Sequence, residues 1–157
     1  MPSKSLFTLA LKRSLIEHCT QLIEQKIQDL NAAIYNAQQQ VHNQEKSSAG
    51  DKYETATAMG QQDMAMYGAQ LEKIKVEKNN FLSLPINPPL QSVTAGHLIE
   101  TENNWYYIGY AGGKIVLNNC NIISLSTQAP LSKAMLGASK GEVINFNNQR
   151  ITILNLI

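Results

Sequence analysis

Between Leu9 and Val41 the apolar residues recur at alternating steps of four and three. Ile16, Ile23, Leu30 and Ala37 interleave with Ile27, Ile34 and Val41, while Glu24, Gln28, Asp29, Gln38 and Gln39 occupy the faces between. A seven-residue repeat of this kind marks a helix that buries one narrow stripe against another helix. A second helical stretch, from about Lys52 to Leu82, carries Met64, Tyr67, Leu71, Ile74 and Phe81 on its stripe, with Gly60 and Lys78 as weak members. Antiparallel pairing across a turn at 43–51 buries both stripes at once. At about 1.5 Å per residue the second stretch makes a rod about 45 Å long, a device for reach more than a core. Gly60 and Gly68 each cost about 1 kcal/mol relative to alanine inside a helix, so the half nearer the turn is expected to be the softer.

Prolines 85, 88 and 89 in "LPINPPLQS" (84–92) end the second helix, because proline cannot continue one. The expected boundary follows: 1–84 as a coiled-coil finger and 85–157 as a second domain. Beyond the prolines the period changes to two. "HLIET", "NWYYIGYA", "KIVL", "NIISLS", "EVINF" and "RITILNLI" read as short strands, with turns at "AGGK" (111–114) and "NNQ" (147–149). The one helical piece is "PLSKAML" (130–136), opened by proline and closed by Gly137. The fold class read from these periods is α+β: an antiparallel helical hairpin, then a small antiparallel β-sheet with one short helix across it.

A formal net charge of +1 leaves no basic footprint for independent DNA binding or an anionic membrane. No run reaches the ~18 apolar residues of a membrane span. "MPSKSLFTLALKR" has too short an apolar run for a signal peptide, so a cytoplasmic protein is expected. Cys19 and Cys120 match no metal or redox spacing and read as buried thiols.

The turn between the helices holds a less ordinary feature. "SSAGDKYETATAMG" (47–60) places Asp51 and Glu54 three residues apart where there is no core to build. Asp-x-x-Glu at a helix start forms a capping box, and both charges suit the positive end of the helix dipole. Carboxylates at the end of a rod can also ligate a hard cation, since magnesium takes one or two protein carboxylates and keeps several waters.

The hairpin, the acidic turn and the following sheet domain together resemble the bacterial GreA/GreB transcript cleavage factors. That family carries Gly-Asp-x-x-Glu-Asn-Ala-Glu-Tyr at the tip. "GDKYETATA" (50–58) matches at Gly50, Asp51, Glu54 and Ala56, with Thr55, Thr57 and Ala58 in place of Asn, Glu and Tyr. "STQAPLSKAMLGASKGEVINF" (126–146) is similar to the family's Ser-x-x-Ser-Pro-Leu-x-x-Ala-Leu-Leu-Gly-Lys-x-x-Gly-Asp segment. Ser126, Pro130, Leu131, Ala134, Leu136, Gly137 and Gly141 fall in register, while Ala129, Ala138 and Glu142 depart from it.

The resemblance implies an FKBP-like fold for 85–157 and bacterial RNA polymerase as the partner. It implies that the finger enters the polymerase secondary channel near the nascent RNA 3′ end. There Asp51 and Glu54 would help hold a catalytic Mg2+ shared with polymerase, so that polymerase, not this chain, cleaves backtracked RNA. Ser126, Pro130 and Leu131 are the implied polymerase-binding residues. The departures at Thr55, Thr57 and Ala58 keep a second reading open: a Gre-like secondary-channel regulator or inhibitor without cleavage activity. A third is an independent binding or prolyl-isomerase-like module built on Trp105, Tyr106, Tyr107 and Tyr110. Alternation puts Trp105 and Tyr107 on one face and Tyr106 on the other, which suits core packing better.

Other candidates are poorer. His18, His42 and His97 lack partners at ligand spacing. "AGGK" opens no helix and reads as a hairpin turn. Lys73, Lys75 and Lys78 alternate with Glu72 and Glu77 as a solvated face does.

Overall fold

The computed structural model describes residues 6–47 and 50–157; of residues 44–47 and 50–53 it describes the backbone. Two long helices, α1 (Leu9–Ser47) and α2 (Gly50–Leu82), pack against each other and precede a small sheet region with one short helix, an α+β protein. By mutual contact the chain divides into two compact units, Gln21–Asn79 and Met1–Thr20 with Asn80–Ile157. Compactness thus groups the first turns of α1 with the sheet, whereas the expected boundary at 84/85 follows the prolines.

In the Gln21–Asn79 unit the helices run antiparallel along the expected stripe. Ile23, Ala37 and Leu71 are buried, and Ile27, Leu30, Ile34, Val41, Met64, Tyr67 and Ile74 are partly buried. The two weak members have specific uses. Lys78 lays its stem along the stripe and pairs its ammonium with Glu24 of α1. Gly60 is buried, and a Cβ there would collide with Val41 Cγ2 and sit 3.7 Å from the Ala37 carbonyl oxygen. The missing side chain lets the helices approach closely. Gly68 has no neighbour to meet and keeps only the propensity cost.

The other unit holds seven strands. They are β1 (Leu98–Glu100), β2 (Trp105–Ile108), β3 (Gly113–Leu117), β4 (Cys120–Leu125), β5 (Val143–Phe146), β6 (Gln149–Thr152) and β7 (Asn155–Leu156). The short helix α3 (Pro130–Met135) lies between β4 and β5 in sequence. Five strands form one sheet in the order β3-β4-β2-β1-β7, and β5 and β6 form a separate hairpin.

Two expectations are corrected here. The sheet is mixed, since β2 and β4 run parallel with Trp105 opposite Ile122, while its other pairs are antiparallel. "AGGK" accordingly is not a tight hairpin: β4 lies between β2 and β3, so the chain there crosses to the sheet edge. The tight turn falls instead at Asn118–Asn119, with φ of 50° and 61°, closing β3 onto β4 between Leu117 and Cys120. Asn147–Asn148, with φ of 49° and 63°, closes β5 onto β6 in the same way. Two successive left-handed residues give a turn whose twist matches that of the strands, and asparagine tolerates that region.

Every residue of β2 is buried, because both sheet faces are covered. Ile99, Tyr106 and Ile108 share a core with Val93, Met135 of α3, Ile151 and Ile153. On the opposite face Trp105 meets Phe7 edge-on at 5.0 Å between ring centroids, and Tyr107 meets Phe81 at 6.3 Å. The Cys19 thiol lies 3.7 Å from the Ser124 hydroxyl. Burial raises the pKa of both cysteine thiols and, more strongly, of the Tyr107 phenol. The aromatics divide between the faces as alternation predicts, and they build core.

Candidate functional site

The first candidate lies where the hairpin turns. α2 begins at Gly50, so position 51 is already inside the first turn. The capping-box expectation for Asp51 and Glu54 turns on the Asp51 side chain, which lies outside the described residues. Positions 51 and 54, three apart on a helix, share a face.

From Glu54 onward the side chains sort by face. Glu54, Thr55, Ala58 and Met59 are exposed, whereas Ala56, Thr57 and Gly60 turn toward the stripe. Thr57 Oγ1 is buried there without a hydrogen bond. The small residues leave a shallow cavity of about 220 Å³ lined by Gln40, Ala56, Met59, Gly60 and Asp63. Asp63 is a partly buried carboxylate that the stripe pattern gave no reason to single out. Among the described residues no three His, Cys, Asp or Glu side chains converge to hold a metal ion. The donor set of Asp51 and Glu54 fits a hard, largely hydrated cation such as Mg2+, for which two carboxylates suffice when other ligands come from elsewhere.

The second candidate is the α3 region. Pro130 occupies the first turn and is exposed; Leu131 is partly buried and packs against the sheet core. Ser126 is partly buried, and its carbonyl accepts the Ala129 N–H at 3.2 Å. Leu136 remains 38% exposed beyond the helix. Several residues that match the family segment have local structural work. Gly137 and Gly141 have φ of 85° and 89°, a region that side chains disfavour. Gly137 N–H donates to the Val93 carbonyl, and Val93 N–H donates to that of Ala138. Glu142, standing where the family has aspartate, accepts the Ser139 N–H at 2.7 Å. Pro130 and Leu136 are the apolar side chains left open to a partner.

Sequence reasoning missed a third cluster, around Lys12. This lysine is fully buried, donates from Nζ to the Ile86 carbonyl at 2.6 Å, and lies close to the equally buried His97. Burial lowers the Lys12 pKa to about 8. No sequence signal marked it, because Lys12–Arg13 reads as an ordinary charged step between helix faces.

Among the described residues no helix is long and apolar enough to cross a membrane. No protein-family model matches the chain, and neither does any curated protein or any solved structure.

Proposed function

We propose that this protein is a transcription elongation factor of GreA/GreB type. It binds bacterial RNA polymerase, inserts the helical hairpin in the secondary channel and stimulates cleavage of backtracked transcripts. The observation that carries the reading is the antiparallel helix pair whose second helix bears Asp51 and the exposed Glu54 near its start. The similarity of the 126–146 segment to the family's, in a small mixed sheet region with one short helix, supports it. In this reading positions 51 and 54, which share a helix face, supply the two carboxylates. Asp51 and Glu54 would help hold a Mg2+ shared with the polymerase acids, and that ion would supply charge stabilisation to the hydrolysis of the RNA. The chain therefore supplies ligands in trans and is not itself the nuclease. Ser126, Pro130 and Leu131 form the docking region, Pro130 with the most accessible surface.

A second reading, a Gre-like regulator or inhibitor without cleavage, is favoured by one observation. The exposed positions flanking Glu54 carry Thr55 and Ala58, where the family pattern has Asn and Tyr.

A purified backtracked elongation complex separates the two. Under the first reading the protein accelerates cleavage, and Asp51→Asn or Glu54→Ala reduces that stimulation by at least a hundred-fold, because the lost charge acts on the transition state. Added Mg2+ partly restores it. Undiminished stimulation by both variants rejects the metal role. Wild-type protein that binds polymerase and suppresses cleavage establishes the inhibitor.

A further inference from the structure

The Lys12 cluster joins three parts of the sheet-bearing unit that are distant in sequence. Lys12 on α1 reaches Ile86, 74 residues away, in the segment that follows α2. His97 stands just ahead of β1, with its ring buried beside that segment. His97 Nδ1 accepts the Thr94 N–H at 2.9 Å, which places the proton of the neutral ring on Nε2. Nε2 makes no hydrogen bond of ordinary geometry, although the Pro88 and Pro89 backbone is near enough to favour the charged ring weakly.

The charged surroundings are simple. Lys12 is the only charged group acting on His97 among the described residues, and no carboxylate of α1, the 84–97 segment, β1 or β2 contributes. Lys12 itself feels burial alone. A protonated His97 thus sets a second cation beside a buried ammonium that, among the described residues, is held by the Ile86 carbonyl and by no carboxylate. It also turns Nδ1 from acceptor to donor, opposing the Thr94 N–H that it holds in the neutral form.

We propose that Lys12 and His97 form a proton-controlled clasp on residues 84–97: neutral His97 keeps the segment held to α1, and acid releases it while the five-stranded sheet stays folded. The sign follows from linkage. Burial, then Lys12, lower the folded-state His97 pKa below its ordinary 6.5, so the unfolded or opened chain binds the proton more readily. Clasp stability is complete above about pH 6.5 and declines as pH falls toward the folded-state value.

Hydrogen exchange of single backbone amides in the full chain, corrected for intrinsic rates, tests this between pH 7.5 and 5. Protection at Thr94 and His97 is expected to fall at least ten-fold, while amides of β2 and β4 keep theirs. His97→Asn retains an acceptor near the Nδ1 position but cannot take the proton, so it should abolish the response. Lys12→Met removes the repulsion, so the His97 ring should titrate closer to its ordinary 6.5 and the acid loss of protection at Thr94 should shrink. The same titration followed at the wild-type His97 ring needs no variant, and the loss of protection should run from about pH 6.5 down to the ring's midpoint. Equal loss across the sheet, a response that persists in His97→Asn, or a ring that titrates with no change at Thr94 overturns the clasp.

Discussion

Ala129 stands at the N-cap of α3 with extended backbone, φ −61° and ψ 141°, and contributes no side-chain acceptor. That conformation suits serine, whose hydroxyl would take an orphan N–H of the first turn. Ala129→Ser is expected to stabilise the protein by about 1 kcal/mol, read as a higher urea midpoint at unchanged slope; an unchanged midpoint rejects the cap geometry. Lys12 acts in the opposite sense. Its folded-state pKa of about 8 lies below the ordinary 10.5, so the unfolded chain binds more protons between those values, and the lysine's contribution to stability improves as pH rises through them. The buried thiols and Tyr107, with raised folded-state values, pull the other way at alkaline pH. The difference between wild type and Lys12→Met cancels them: it should move in favour of wild type by about 3 kcal/mol from pH 7 to 10.5. A pH-independent difference would mean that the amine is solvated. Burial of Lys12 was not legible from the sequence, because its acceptor is a backbone carbonyl that any residue at position 86 would supply.

At the scale of the helices, much was legible. A stripe with period 3.5 admits few arrangements, and every residue placed on it is buried or partly buried. What periodicity could not distinguish was one glycine from another. Gly60 and Gly68 look alike as helix weakeners, yet only Gly60 faces the partner helix at contact distance. Gly68→Ala should therefore stabilise by about 1 kcal/mol. Gly60→Ala should destabilise, since the gain in propensity is outweighed by overlap with a stiff Val41 side chain. Thermal melts of both variants check this, and equal shifts would remove the close approach at Gly60. The strands were legible as segments but not as a sheet, for alternation says which face a residue takes and nothing about which strand lies alongside. The parallel β2–β4 pair follows from β3 turning back through Asn118–Asn119, a choice of turn that "AGGK" seemed to offer earlier in the chain.

For the molecule as a whole, the polymerase reading makes a separable demand on the α3 face. Pro130 is exposed at the first helical position, so Pro130→Ser should cost no more than about 1 kcal/mol of stability. Its binding to RNA polymerase should weaken at least ten-fold; unchanged binding would move the docking surface elsewhere. Leu131 is the poorer probe, because it also packs against the sheet core. The candidate site was legible only as far as its charges. Asp51 and Glu54 stand out by their spacing at the expected turn, whereas Lys12 and Asp63 take their settings from neighbours on other elements. The pairing of early helix with late sheet also sets a schedule for the growing chain. Cys19 waits for Ser124, 105 residues on, and at translation speeds of ~5–20 residues per second that interval is roughly 5–20 s. During it Leu11, Leu15 and Cys19 emerge from the ribosome without the strands that bury them, while the Gln21–Asn79 hairpin can already zip through local contacts. The first turns of α1 are therefore exposed apolar surface during synthesis, the kind of segment that chaperones of nascent chains bind.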